Sequence, residues 1–138
     1  MRRRQRAAAL VEFALAWPVA LLIVLSTVEA AVWAAEAYAA HAATVAGARA
    51  GAAAGGTAQV AAAVTLRTLS ANLVGVVPRQ WCPGSSPVPP PVWVCATDLG
   101  QSIEIDVGGS VPALVPLEPG TGLPLRAHVV LAKEKFIR

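Results

Sequence analysis

"RRRQRAAALVEFALAWPVALLIVLSTVEAAVW", Arg2 to Trp33, decides the architecture. Four arginines (Arg2, Arg3, Arg4 and Arg6) precede an apolar run from Ala7 to Val28, and the one charge in that run is Glu12. As a helix rising about 1.5 Å per residue the run covers roughly 33 Å, against a hydrocarbon core of about 30 Å. It predicts a membrane span. The basic tip predicts a cytoplasmic N-terminus with the rest of the chain outside, and Trp33 and Tyr38 fall where an outer aromatic belt would lie. Pro18, inside the span, removes one backbone hydrogen bond and favours a kink. Glu12 is the anomaly. A carboxylate costs roughly 3 kcal/mol at mid-span and marks a functional position by default. The alternative is that Glu12, near the cytoplasmic end, reaches back to the headgroups and the arginines.

The helical pattern continues outward. Val28 to Ala46 contains neither Gly nor Pro and is dominated by Ala, the strongest helix former. Glu29 and Glu36 are seven apart and share a face. One long helix over 8–50 is expected, crossing the membrane to about residue 28, after a basic leader at 1–7 and before a small domain at 51–138. "GARAGAAAGG" ends that helix. Gly47, Gly51 and Gly55 recur every four residues, which reads either as a stripe that lets another helix approach closely or as a flexible Ala/Gly linker.

A second helix is expected from Thr57, a plausible N-cap, to Leu73. Ala62, Leu66, Leu69, Leu73 and Val76 form one apolar face, with Gln59, Ala63, Arg67 and Ser70 opposite. Gly75 and Pro78 end it. "CPGSSPVPPPVWVC" reads as a Pro-rich loop between cysteines, either a rigid surface loop or a polyproline-like ligand. In an exported segment Cys82 and Cys95 are expected to pair, closing a short loop worth on the order of 3 kcal/mol. Two buried thiols are the alternative for a cytoplasmic domain.

The last third changes period. In "SIEIDV", Ile103, Ile105 and Val107 lie on one face and Ser102, Glu104 and Asp106 on the other, which predicts a strand. Gly108-Gly109 reads as a two-residue hairpin turn and Val111 to Val115 as its return strand, with Pro112 confined to an edge. After the connection "EPGTG", "LPLRAHVVLAKEKF" gives a final strand with Leu125, Ala127, Val129 and Leu131 on one face. The expected fold class is therefore α+β: a long N-terminal helix, a second helix and a short antiparallel sheet.

Composition excludes several classes of function. Of 138 residues 56% are hydrophobic and 14% charged, with a formal net charge of +3. Without the N-terminal arginines seven basic residues face eight acidic ones, so no basic surface for nucleic acid is expected. His41 and His128 are isolated from the cysteines and from each other, and no metal site or cofactor is expected. There is no GxSxG, no phosphate-cradling glycine loop and no HExxH. Ser85 and Ser86 have no base nearby in sequence, and Glu104 with Asp106 reads as the polar face of a solvated strand. Neither an enzyme nor a small-molecule substrate is expected.

"RRRQRAAALVEFALAWPVALLIVL" resembles the start of TadE-like proteins, the pilin-like minor components of tight-adherence (Flp/Tad) pilus systems. The pattern is a basic tip, a small residue (Ala7), the apolar "AALV", Glu12-Phe13, and a hydrophobic helix containing Pro18. The likeness continues through "VEAAVWAAEAYAAHAATVAGARAGAAAG" and extends to "VGGSVPALVPLEPGTGLPLRAHVVLAKE". It implies a type IV pilin-like fold in the bacterial cytoplasmic membrane, single-pass, or incorporated in a pilus. It also implies a prepilin peptidase cutting between Ala7 and Ala8, so that Glu12 becomes the fifth residue of the mature chain. The amine freed at Ala8 would then meet Glu12 of a neighbouring subunit in an apolar setting, where opposite charges attract strongly. Glu12 and Phe13 are the implied assembly contacts. Other pilins, pseudopilins and pilus platform proteins are the implied partners.

Two rival readings remain. In a secreted protein, Arg2 to Arg6 and Phe13 to Leu25 would be the parts of a signal peptide cut after Ala30, where "VEA" fits the small-x-small rule. The other is a bitopic membrane adaptor unrelated to pili.

Overall fold

A computed structural model describes residues 2–85, 88–114 and 122–134, with side chains from residue 11 onward. Helix α1 spans Arg2–Ala52 and α2 Ala58–Asn72. Strands follow at Arg79–Gln80 (β1), Val92–Asp98 (β2), Ser102–Pro112 (β3) and Gly122–Ala132 (β4). The layout is α+β, but the sheet is mixed rather than antiparallel. Its order is β1-β2-β3-β4, with β1 parallel to β2 and the other pairs antiparallel. The chain divides into two compact units, Met1–Val32 and Trp33–Arg138. The sequence expectation began the small domain at residue 51, whereas Trp33–Ala52 of α1 counts with it.

That division follows from burial. From Glu36 onward α1 presents one buried stripe: Glu36, Ala40, Ala43, Thr44, Gly47, Ala48, Gly51 and Ala52, spaced by helical turns. Ala and Gly bury little area, so their contribution depends on close approach. A Cβ on Gly47 would strike Thr65 Oγ1 and lie 2.7 Å from the Ala61 carbonyl oxygen and 3.0 Å from Ile105. One on Gly51 would lie 2.7 Å from the Ala61 Cβ. The glycine repeat is thus a packing stripe at Gly47 and Gly51. Gly55 is outside the helix, at φ +78° with open space around it, a conformation that favours glycine. The buried hydroxyls of Thr44 and Thr65 are satisfied locally, by the carbonyls of His41 at 2.7 Å and Ala61 at 2.8 Å.

Helix α2 begins where its cap predicts, with the Val60 amide donating to Thr57 Oγ1 at 3.3 Å. It buries Ala61, Ala62, Thr65 and Leu69, while Gln59, Ala63, Arg67 and Ser70 are exposed. Both helices cover one face of the sheet. Val92 and Val94 of β2, Ile103, Ile105 and Val111 of β3, and Leu125 of β4 are fully buried there beside Leu69. Each such side chain contributes about 1.5–3 kcal/mol by leaving water.

The strand alternation of Ile103, Ile105 and Val107 holds, but Gly108-Gly109 is no turn. β3 runs straight through both glycines and pairs with β2 on one side (Trp93 with Gly108, Val92 with Gly109) and with β4 on the other. The glycines answer to neighbours remote in sequence. A Cβ on Gly108 would enter the Trp93 ring, and one on Gly109, at φ +131°, would collide with the Pro91 carbonyl. The hairpin turn lies instead before β3, at Leu99–Gln101, where Gly100 has φ +81°. Val111 and Pro112 end β3 rather than start a return strand. Val115 and residues 118–121 of the expected connection lie outside the described residues, as do Ser86 and the last two residues of the expected final strand.

β4 closes the sheet. The Ser110 amide donates to the Pro91 carbonyl at 2.7 Å, so Ser110 turns its backbone towards β2 and its partner Pro124 turns outward on the free edge. Here α1 meets the edge at both ends. The Trp33 indole N–H donates to the Pro124 carbonyl at 3.0 Å, and the Glu134 amide donates to the Ala52 carbonyl at 3.0 Å.

Candidate functional site

Two places carry functional side chains. The first is the apolar part of α1. No residue from Val11 to Val28 is buried, and Val11, Phe13, Leu15, Trp17 and Ile23 are each 60% exposed or more. A surface this apolar is unsuited to water, and the helix is long and apolar enough to cross a membrane. Glu12 stands on it. Among the described residues no side chain makes a hydrogen bond or ion pair with it. Phe13, one residue on, stacks against Trp17 with centroids 6.0 Å apart and planes at 23°, the i, i+4 spacing of neighbours on a helix. Pro18 lies within α1. Ala7 and Ala8 belong to α1 by backbone, and their side chains lie outside the described residues.

The second is the outer, helix-free face of the sheet. Cys82 and Cys95 form a disulfide there, with Cα atoms 4.8 Å apart. It ties the segment after β1 to the middle of β2. Beside it Trp81 meets the edge of Trp93 with centroids 5.3 Å apart, and Trp93 lies over Gly108. The disulfide and the two rings cover a face that would otherwise be open backbone.

Further along the same face, residues far apart in sequence converge. Pairing of β3 with β4 sets His128 opposite Asp106, and Glu104 two residues along the strand. His128 Nδ1 lies 2.7 Å from Asp106 Oδ1 and 3.8 Å from Glu104 Oε1. Alternation along β3 makes the two carboxylates neighbours, but bringing His128 to them required the register of a strand 22 residues away, which no local pattern encodes. Near the end of the sheet, Lys133 Nζ sits 2.7 Å from both oxygens of Asp98. That ammonium, helped by the Gly100 amide at 2.8 Å, holds the Asp98 carboxyl below its ordinary value.

Comparison with protein-family models, curated proteins and solved structures finds no match for this chain.

Proposed function

We propose that the chain is a TadE-like pseudopilin, a membrane-anchored structural component in the assembly of a bacterial tight-adherence pilus. The observation that carries this reading is the exposed apolar length of α1 with one carboxylate, Glu12, near its start that has no partner among the described residues. Such a helix needs lipid or other helices around it. A carboxylate on it needs a cation, because an isolated charge in apolar surroundings is costly. Cleavage after Ala7 would supply that cation as the amine of Ala8 on a neighbouring subunit. The chain would sit in the cytoplasmic membrane with its N-terminus inside, its small domain outside, and its role structural rather than catalytic.

Glu12→Ala tests this. The span becomes more hydrophobic, so membrane levels should hold. Loss of the counter-charge costs a few kcal/mol per contact, so co-purification with other pilus subunits should fall by about tenfold or more. Unchanged co-purification would make Glu12 an interfacial residue and remove the assembly role.

One observation favours a second reading. The boundary between the two compact units falls at Val32 and Trp33, two residues beyond the signal-peptidase motif ending at Ala30. A cut there would release the second unit with its core whole, as a secreted domain. The mass of the mature chain separates the two readings, since one starts at Ala8 and the other at Ala31.

A further inference from the structure

We infer that Glu104, Asp106 and His128 form a binding site for a divalent cation of the zinc class on the outer face of the sheet. The site is independent of the pilus reading and lies in the second unit alone.

The donor set is mixed, with two carboxylate oxygens from β3 and one imidazole nitrogen from β4. One donor atom from each residue lies within 4.8 Å of the other two, and two of the separations are 2.7 and 3.8 Å. Three ligands around a common zinc, each at about 2.0–2.2 Å, sit roughly 3.4 Å from one another. The 2.7 Å separation is a hydrogen bond between His128 and Asp106, which a bound ion would replace by widening it, and the 3.8 Å separation from Glu104 lies slightly beyond that value. The side chains are partly exposed, at 55% for His128, 39% for Asp106 and 30% for Glu104, so small rotations complete the approach without moving the backbone. The backbone itself is fixed by the paired strands β3 and β4.

Charge points the same way. Glu104 and Asp106 are two anions on adjacent positions of one strand face. Among the described residues no lysine or arginine comes within ion-pair distance of either. A divalent cation held between the two carboxylates would balance their charge. The choice of metal follows from the donors. Calcium seeks six to eight oxygens and magnesium an octahedron of oxygens, whereas nitrogen together with carboxylate suits zinc and its neighbours in the first transition row.

Three protein ligands leave a tetrahedral ion one position short. Asp106 and His128 also line a surface depression of about 790 Å³, together with Trp93, Gly108, Pro124 and Arg126. Water or an anionic donor in that depression, whose lining includes Arg126, could supply the fourth ligand.

The test uses the full chain in non-ionic detergent, without a histidine tag and stripped of metal. Zinc chloride and, separately, calcium chloride are titrated by calorimetry. The site predicts about one zinc ion per chain and no comparable calcium binding. His128→Ala should weaken zinc binding by roughly tenfold or more. Asp106→Asn and Glu104→Gln, which keep side-chain shape, should each weaken it too. The near-ultraviolet dichroism of the Trp81–Trp93 pair reports whether each variant retains its fold. Wild-type zinc affinity in either His128→Ala or Asp106→Asn overturns the proposal. So does calcium binding as tight as zinc, or a zinc stoichiometry well below one on the wild-type chain.

Discussion

Gly47 separates two effects that usually travel together. In an exposed helix, replacing Gly by Ala adds about 1 kcal/mol of stability. At Gly47 the added carbon meets Thr65 Oγ1 and the Ala61 carbonyl, so the same change overfills a contact between helices. Gly47→Ala should therefore lower stability, by about 1–3 kcal/mol. Urea unfolding followed by tryptophan fluorescence reads this as a lower midpoint, and a higher one would mean that α1 and α2 are not in close contact. Asp98 offers a second residue-level test. Its carboxyl is held below the ordinary value by Lys133 and then by the Gly100 amide. A depressed carboxyl stabilises the fold above its unfolded value, and the contribution is lost as pH falls through the folded value. Asp98→Asn should thus be less stable than the parent at neutral pH, with the difference vanishing in acid below the usual carboxylate range. A difference that grows on acidification would contradict the pairing with Lys133.

Among the elements, the segment between β1 and β2 depends most on a covalent tie. Its ends are joined by the Cys82–Cys95 disulfide, 13 residues apart in sequence. Replacing both cysteines by serine should cost about 3 kcal/mol, seen as a lower unfolding midpoint, and alkylation of the denatured, unreduced protein should label neither cysteine. Labelling of both thiols would show that the bond does not form. Elements with a strong period were readable from the sequence. The Ala-rich α1, the capped α2, the alternation of Ile103, Ile105 and Val107, and the alternation along β4 each carry their signal within one window. β2 was missed. Its inward valines, Val92 and Val94, follow directly on three prolines and share their stretch with Cys95, so the segment reads as loop. Gly108-Gly109 was misread for a related reason. A glycine pair marks a turn by local rule, but here each glycine yields space to a neighbour, the Trp93 ring and the Pro91 carbonyl, that only strand pairing reveals. The convergence of Glu104, Asp106 and His128 is legible only from the register of β4 on β3. The exposed apolar surface around Glu12 was legible at once, since a long apolar run is written as composition.

For the whole molecule, topology and processing are the questions that matter most. With the arginine-rich tip inside, protease added to intact spheroplasts should degrade the domain after Trp33, and its protection until lysis would reverse the orientation. One feature of the second unit also orders events in time. Trp33, at the start of that unit, donates its hydrogen bond to Pro124, 91 residues later, and Ala52 accepts one from Glu134. Contacts of such long sequence separation form slowly. As synthesis proceeds, the small-residue stripe of α1 appears first and β4, the last of the described elements, much later. Until β4 has emerged, β3 lacks its outer neighbour and presents an unpaired edge. Folding of the second unit is thus ordered along the chain: its sheet is complete only once β4 has joined it, and a product truncated before β4 leaves β3 as the edge strand, exposed to quality-control proteases, where the longer chain has β4.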